Sequence, residues 1–349
     1  MSVKFNLPKI IRPNVLKMKA YSSARDEFKD LGAEKVFIDA NENPYENGLN
    51  RYPDPQQRNV KSKLAEIKGV TIENILLGNG SDEVLDLIFR AFCNPGQDNV
   101  IILPPTYGMY KVLANLNDID IREVLLDSSF QPNTSLIIES IDENTKLIFI
   151  CSPNNPTGNS INAVHIQNIL ENFKGIVVID EAYIDFSKNE SWIAKLDHYP
   201  NLIVTQTFSK ALGSAAIRLG VCYASKEITE VLNKIKPPYN INNLTQKAAL
   251  DKLRDIRLNY EQIREIKYSK EQFINYLSKN KKVKKVFPSD ANFVLAKVDN
   301  ANLRYQQLVD KGVVVRNRTN EPLCENCLRF TIGTKEEIEK LMDILSNLD

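Results

Sequence analysis

"GIVVIDEAY", residues 175–183, runs from a glycine through four consecutive β-branched residues and stops on an acid. A strand with one face in water alternates apolar with polar residues. An unbroken β-branched run reads instead as a strand covered on both faces, as in a parallel sheet between helical layers. Neighbouring runs repeat the pattern: "KLIFICSP" (146–153) and "NLIVTQTFSK" (201–210), then "NILLG" (74–78), "NVIILP" (99–104), "IREVLL" (121–126) and "RLGVCYAS" (218–225). Helical patterns separate several of them, among them "DEVLDLIFRAF" (82–92), "YGMYKVLANL" (107–116) and "AVHIQNILENF" (163–173). The alternation predicts an α/β fold, a mostly parallel sheet covered by helices with right-handed crossovers.

The character changes at "KIKPPYNINN" (234–243), where Pro237 and Pro238 should end a helix. A charged helical region follows over roughly 243–279. Beyond it come "VKKVFPSDANFVLAKV", "GVVVRNR" and "CLRFTIGT", which predict a smaller α+β unit. The expected organisation is an N-terminal arm (1–40) packing on the small domain and the partner subunit, a large domain (41–236) and a small C-terminal domain (237–349).

Bulk composition narrows the function. Lys+Arg 45 against Asp+Glu 44 leaves no field to attract nucleic acid or an anionic membrane. No apolar run is long enough to span a bilayer, and the N-terminus lacks the apolar core of a signal peptide. Five scattered cysteines suit reduced thiols in cytoplasm. Cys324 and Cys327 form a lone C-x-x-C with no second pair and no nearby histidine, so they read as ordinary thiols rather than a zinc site. Neither His165 nor His198 has a catalytic setting, and no resident metal is expected.

Open α/β sheets bind ligands at the carboxyl ends of their strands. Here "GNGSDE" (78–83), "CSPNNPTG" (151–158), "DEAY" (180–183) and "FSK" (208–210) all follow apolar runs. Gly80, Ser81 and Asp82 fit a tight turn opening a helix, whose free N–H groups and dipole favour a phosphate. The third glycine of a dinucleotide fingerprint is missing, because Glu83 stands there. Asp180, a carboxylate ending a buried run, needs a partner, and a protonated ring nitrogen would serve. Asn155 and Tyr183 could both reach one ligand oxygen. Singly, each of these is a turn, a cap or a packing residue. Together they match the needs of pyridoxal 5'-phosphate: an amine for a Schiff base (Lys210), an acid for the ring nitrogen (Asp180), donors for the ring oxygen (Asn155, Tyr183), and a phosphate cradle of Ser81, Thr207, Ser209 and Arg218.

On these motifs, with "NENPYENGLNRYPDP" (41–55), "PPTYGMY" (104–110), "VVIDEAYIDF" (177–186), "FSKALGSAAIRLG" (208–220) and "CLRFTIGT" (327–334), the chain closely resembles the fold-type I pyridoxal-phosphate aminotransferases, and within them the histidinol-phosphate aminotransferase family. The resemblance implies that Tyr107 stacks on the cofactor ring and that Tyr52 reaches the cofactor phosphate of the neighbouring subunit of a homodimer. It also implies that Arg329 grips the substrate's anion, with Arg316 and Tyr21 enclosing a substrate phosphate, Tyr21 from the partner. The implied reaction is ping-pong amino transfer between histidinol phosphate and 2-oxoglutarate, with Lys210 as base. Aromatic amino-acid transamination and decarboxylation of a phosphorylated amino acid use the same cofactor residues and stay open as alternatives; a pyridoxal-phosphate-binding regulator would not need the full catalytic set. Two positions depart from the family pattern: Ala216 stands where glycine is usual, and Phe208 where an aliphatic residue is commoner.

Overall fold

The computed structural model describes residues 5–20 and 36–348. All seven apolar runs form one sheet: β1 (Ile75–Asn79), β2 (Asn99–Ile102), β3 (Asp120–Glu123), β4 (Thr145–Cys151), β5 (Ile176–Asp180), β6 (Leu202–Thr207) and β7 (Leu219–Ala224), in the order β1-β7-β6-β5-β4-β2-β3. Pairing is parallel from β3 through to β6, and β7 alone is reversed, antiparallel to both β6 and β1. An antiparallel neighbour can be reached without a helical crossover. That is why the chain leaves β6 and re-enters at β7 through the short excursion 208–218.

The β5 run shows why both faces must be apolar. Val177 and Ile179 enter the core on one side of the sheet, Ile176 and Val178 the core on the other. Asp180 continues the second set, toward the layer of helices Gly80–Phe92 and Met109–Leu116. Successive strand residues point to opposite faces, so the parity of one acid decides which layer it meets.

A second, antiparallel sheet has the order β10-β11-β9-β8, from β8 (Val283–Val286), β9 (Phe293–Val298), β10 (Arg316–Asn317) and β11 (Cys327–Thr331). Its apolar face packs on helices Ile256–Leu277, Ala301–Asp310 and Lys335–Ser346 through Phe273, Leu308, Phe330 and Leu341.

Three details of the chain's organisation were not in the sequence reading. The helical region after 243 is two helices, Asn243–Arg254 and Ile256–Leu277, broken at Asp255 (φ −101°, ψ 51°). The first of them packs on helix Arg58–Lys68 and lends Ala249 and Leu253 to the large sheet's core. Where described, the N-terminal arm has Ile11 and Val15 buried on the large-sheet side, and the Arg12 N–H donates to the Ala91 carbonyl at 3.0 Å. Apolar side chains on two short turns find their cover where helix Gly80–Phe92 ends.

Candidate active site

The carboxyl ends of β1, β4, β5 and β6 open into one cavity of about 510 Å³. Its floor is Asp180, 3% exposed, whose Oδ2 accepts a 2.7 Å hydrogen bond from the Tyr110 phenol. Burial raises this carboxyl above its usual range, and the Tyr110 hydrogen bond opposes the rise by favouring the ionised form. Tyr110 is fully buried and stacks on Phe149, with ring centres 5.0 Å apart. Sequence reasoning missed it. The available signal was its place three residues after Tyr107, one helical turn on.

Tyr107 itself lines the cavity, edge-on to Tyr110, and its phenol donates to Asp82 Oδ1 at 3.1 Å. Asp82 and Ser81 stand in the first turn of helix Gly80–Phe92. The turn is possible only with glycines. Gly80 has φ +76°, and a Cβ there would lie 2.5 Å from Arg218 Nη2. A Cβ on Gly220 of β7 would fall 2.3 Å from the Ser81 nitrogen. The helix start therefore presses directly on β7, and Arg218, at positive φ, accepts the Gly80 N–H on its carbonyl at 2.8 Å. Thr207 Oγ1 accepts the Ser209 N–H at 3.1 Å, so both hydroxyls sit on the same rim.

Ala216 is exposed and its φ is not positive, so its extra methyl meets no steric conflict. Phe208 is buried in the core below the excursion.

Lys210 opens to solvent at the cavity mouth, with Nζ 5.7 Å from the centre of the Tyr183 ring. The walls around its amine, then the Arg329 guanidinium, hold its ammonium below the usual lysine range. Tyr183 is pushed upward by burial and packs edge-on to Phe293 at 5.1 Å. Arg329 lies 5.0 Å over the same Phe293 ring and donates through Nη1 to Asn155 Oδ1. Burial, then the neighbouring Arg318, pushes Arg329 down to about 10. Arg316 is the register partner of Arg329 across β10 and β11, and it lines the cavity with Arg318. Arg318 is a second residue that sequence reasoning passed over.

Twelve of the expected residues thus meet on one cavity: Ser81, Asp82, Tyr107, Asn155, Asp180 and Tyr183, with Thr207, Ser209, Lys210, Arg218, Arg316 and Arg329. Gly80 stands just behind, against Arg218. Tyr52 does not join them: half-exposed, it stacks on Tyr239 with ring centres 4.5 Å apart, beside a separate cavity of about 410 Å³. Tyr21 lies outside the described residues. No group of three metal-ligating side chains exists among the described residues.

Residues 27–345 match the family described as aminotransferase class I and II. The histidinol-phosphate aminotransferase of Christiangramia forsetii is 62% identical over 345 residues, covering 99% of each chain. Among solved structures, the histidinol-phosphate aminotransferase from Clostridium acetobutylicum superposes with a TM-score of 0.79 at 28% identity, over 85% of this chain and 90% of that one. The same fold is seen in the histidinol-phosphate aminotransferase from Sinorhizobium meliloti in complex with pyridoxal-5'-phosphate, with a TM-score of 0.76 at 22% identity, over 85% of this chain and 82% of that one.

Proposed function

Because the chain belongs to the class I and II aminotransferase family, and within it to the histidinol-phosphate aminotransferases, we propose that it moves an amino group between L-histidinol phosphate and 2-oxoglutarate. The observation that carries the reading is the meeting of Lys210, Asp180, Arg218 and Arg329 on one cavity.

The donor set fits pyridoxal phosphate. Gly80 and Gly220 bring the N–H groups of a helix start to bare backbone beside Arg218, a cradle that any Cβ would fill. Asn155 spends its carbonyl oxygen on Arg329, which leaves its amide N–H groups for a ring oxygen alongside the Tyr183 phenol. Bound there, the cofactor supplies a ring that accepts the electrons freed when the donor's Cα–H bond breaks.

The chain's own residues do the rest. Asp180 would hold a proton at the ring nitrogen, and Tyr110 fixes the orientation of that carboxylate. Lys210 would hold the cofactor through its amine, and the same amine, when free, would be placed to act as the base that takes the Cα proton. A lysine amine below its ordinary range is better matched to that task near neutrality. Arg329 binds the anion of either substrate with its planar fork. Tyr107 would cover a face of the ring, and Thr207 and Ser209 would add hydroxyls at the phosphate.

The proposal includes a homodimer in which Tyr52, and Tyr21 of the arm, serve the partner's site. The uncovered side chains Val36, Ile38, Tyr45 and Leu49, 65–91% exposed, support this. The scattered thiols support a cytoplasmic setting.

The test is a half-reaction. Protein loaded with pyridoxal phosphate is mixed with histidinol phosphate and no keto acid, with phenylalanine in parallel, and the cofactor absorbance is followed. Rapid change with histidinol phosphate and little with phenylalanine is expected, and Lys210→Ala should abolish the covalently bound absorbance band. A preference for phenylalanine would overturn the substrate assignment.

A further inference from the structure

The short hairpin of β10 and β11 carries more positive charge than one substrate carboxylate can use. Arg316 opens β10, and Arg318 comes directly after that strand ends at Asn317. Arg329 is the direct register partner of Arg316, and the Arg318 N–H donates to the Cys327 carbonyl at 2.9 Å. All three arginines line the cavity. Like charges directly opposite on a sheet destabilise it, so the arrangement calls for an anion.

The chain supplies little of one. Arg329 donates to the neutral Asn155, and its Nε is buried without a partner. The Nε of Arg318 is likewise buried and unpartnered. The carboxylate paired with it, Glu321, lies 3.6 Å from Nη1, beyond hydrogen-bond range, with both side chains partly exposed. A carboxylate, with one charge and two oxygens, is satisfied by a single guanidinium fork. A phosphate monoester presents three terminal oxygens and close to two charges at neutral pH.

We propose that Arg318 is a specificity-determining residue of this site, one that engages the phosphate of the amino donor beside Arg329 and is released from Glu321 to do so. The inference rests on the substrate reading above and deepens it. Glu321 then acts as a resident competitor: it neutralises Arg318 when the cavity holds no phosphate ester and gives way to a more highly charged anion.

The experiment compares half-reaction kcat/KM values for histidinol phosphate and L-glutamate in the holoenzyme and in R318Q, R318K and E321Q. R318Q should lower the histidinol phosphate-to-glutamate ratio by about ten-fold or more, the scale of a lost charge-assisted hydrogen bond. R318K should recover only part of it, because an ammonium has no fork. E321Q should raise the ratio a few-fold. In wild type, kcat/KM for the ester should climb as its second proton leaves near pH 6, and R318Q should flatten that climb. Equal losses for both substrates, a larger loss for glutamate, or no change would overturn the assignment. A wild type that prefers phenylalanine would instead overturn the substrate reading, so the two failures are distinguishable.

Discussion

Tyr110 stands behind the cavity floor, itself fully buried, and holds Asp180 by a 2.7 Å hydrogen bond. Removing that donor leaves a buried carboxylate with less support for its charge, so Asp180 should rise further and hold its proton partner less well. Tyr110→Phe should lower kcat about ten-fold, the scale of one hydrogen bond to a charged group, with a smaller change in KM. Steady-state kinetics checks this, and an unchanged kcat would show that the Ala182 N–H, 3.1 Å from Oδ1, orients Asp180 alone. Lys210 and Asp180, which line the same cavity, stand out in the sequence because each breaks a local rule: a lysine among small residues, an acid closing an apolar run. Tyr110 breaks none. On a helix that buries Leu113 and Ala114, a tyrosine reads as core, and its hydroxyl becomes meaningful only once β5 is seen beside it.

Helix Arg58–Lys68 shows how an element tolerates one misplaced charge. Lys61 is 4% exposed on its inner face, where burial and then the nearby Lys236 push its ammonium down to about 8. Below pH 8 the folded chain carries the full burden of that charge. Between about 8 and the unfolded value of 10.5 the folded state loses its proton first, so stability should rise with pH across that window. Lys61→Met should therefore stabilise the protein at pH 7, on the order of 2 kcal/mol, and by much less at pH 9.5. Urea titrations at the two pH values test it; destabilisation at pH 7 would mean that the amine makes bonds Met cannot replace. At this scale the strands were readable and the joins were not. Four β-branched residues in β5 admit one interpretation, whereas the break at Asp255 depends on what each half packs against. The run "GVVVRNR" pairs only at Arg316–Asn317; before it, Val315 is buried while Val314 stays 79% exposed.

Across the whole molecule, the two sheets meet at the cavity. Asn155 follows β4 and Arg329 belongs to β11, so their hydrogen bond joins the large unit to the small one. A second tie lies beside it, where the Asp290 N–H donates to the Gly158 carbonyl at 2.7 Å. The composition of the sequence could indicate two units but not this seam, since neither partner of either bond is near the other in the chain. The apolar side chains left bare from Val36 to Leu49 belong to the same scale. Sedimentation should give twice the chain mass, and an Ile38→Glu, Leu49→Glu double variant should become monomeric and inactive together. A fully active monomer would sink the shared-site arrangement.

The reversal of β7 has a consequence for how this chain can vary. Its excursion from β6 is pinned at both ends by adjacent hydrogen-bonded strands, with Thr207 opposite Gly220 in register. The excursion is a ruler: the span between Lys210 and Arg218 is measured in whole residues, and neither strand can slip to absorb an extra one without turning its apolar side chains the wrong way. Surface turns elsewhere can lengthen or shorten freely over generations. Here a single codon gained or lost would leave the core packed and silence the protein, so length, more than composition, is what inheritance must preserve in this loop.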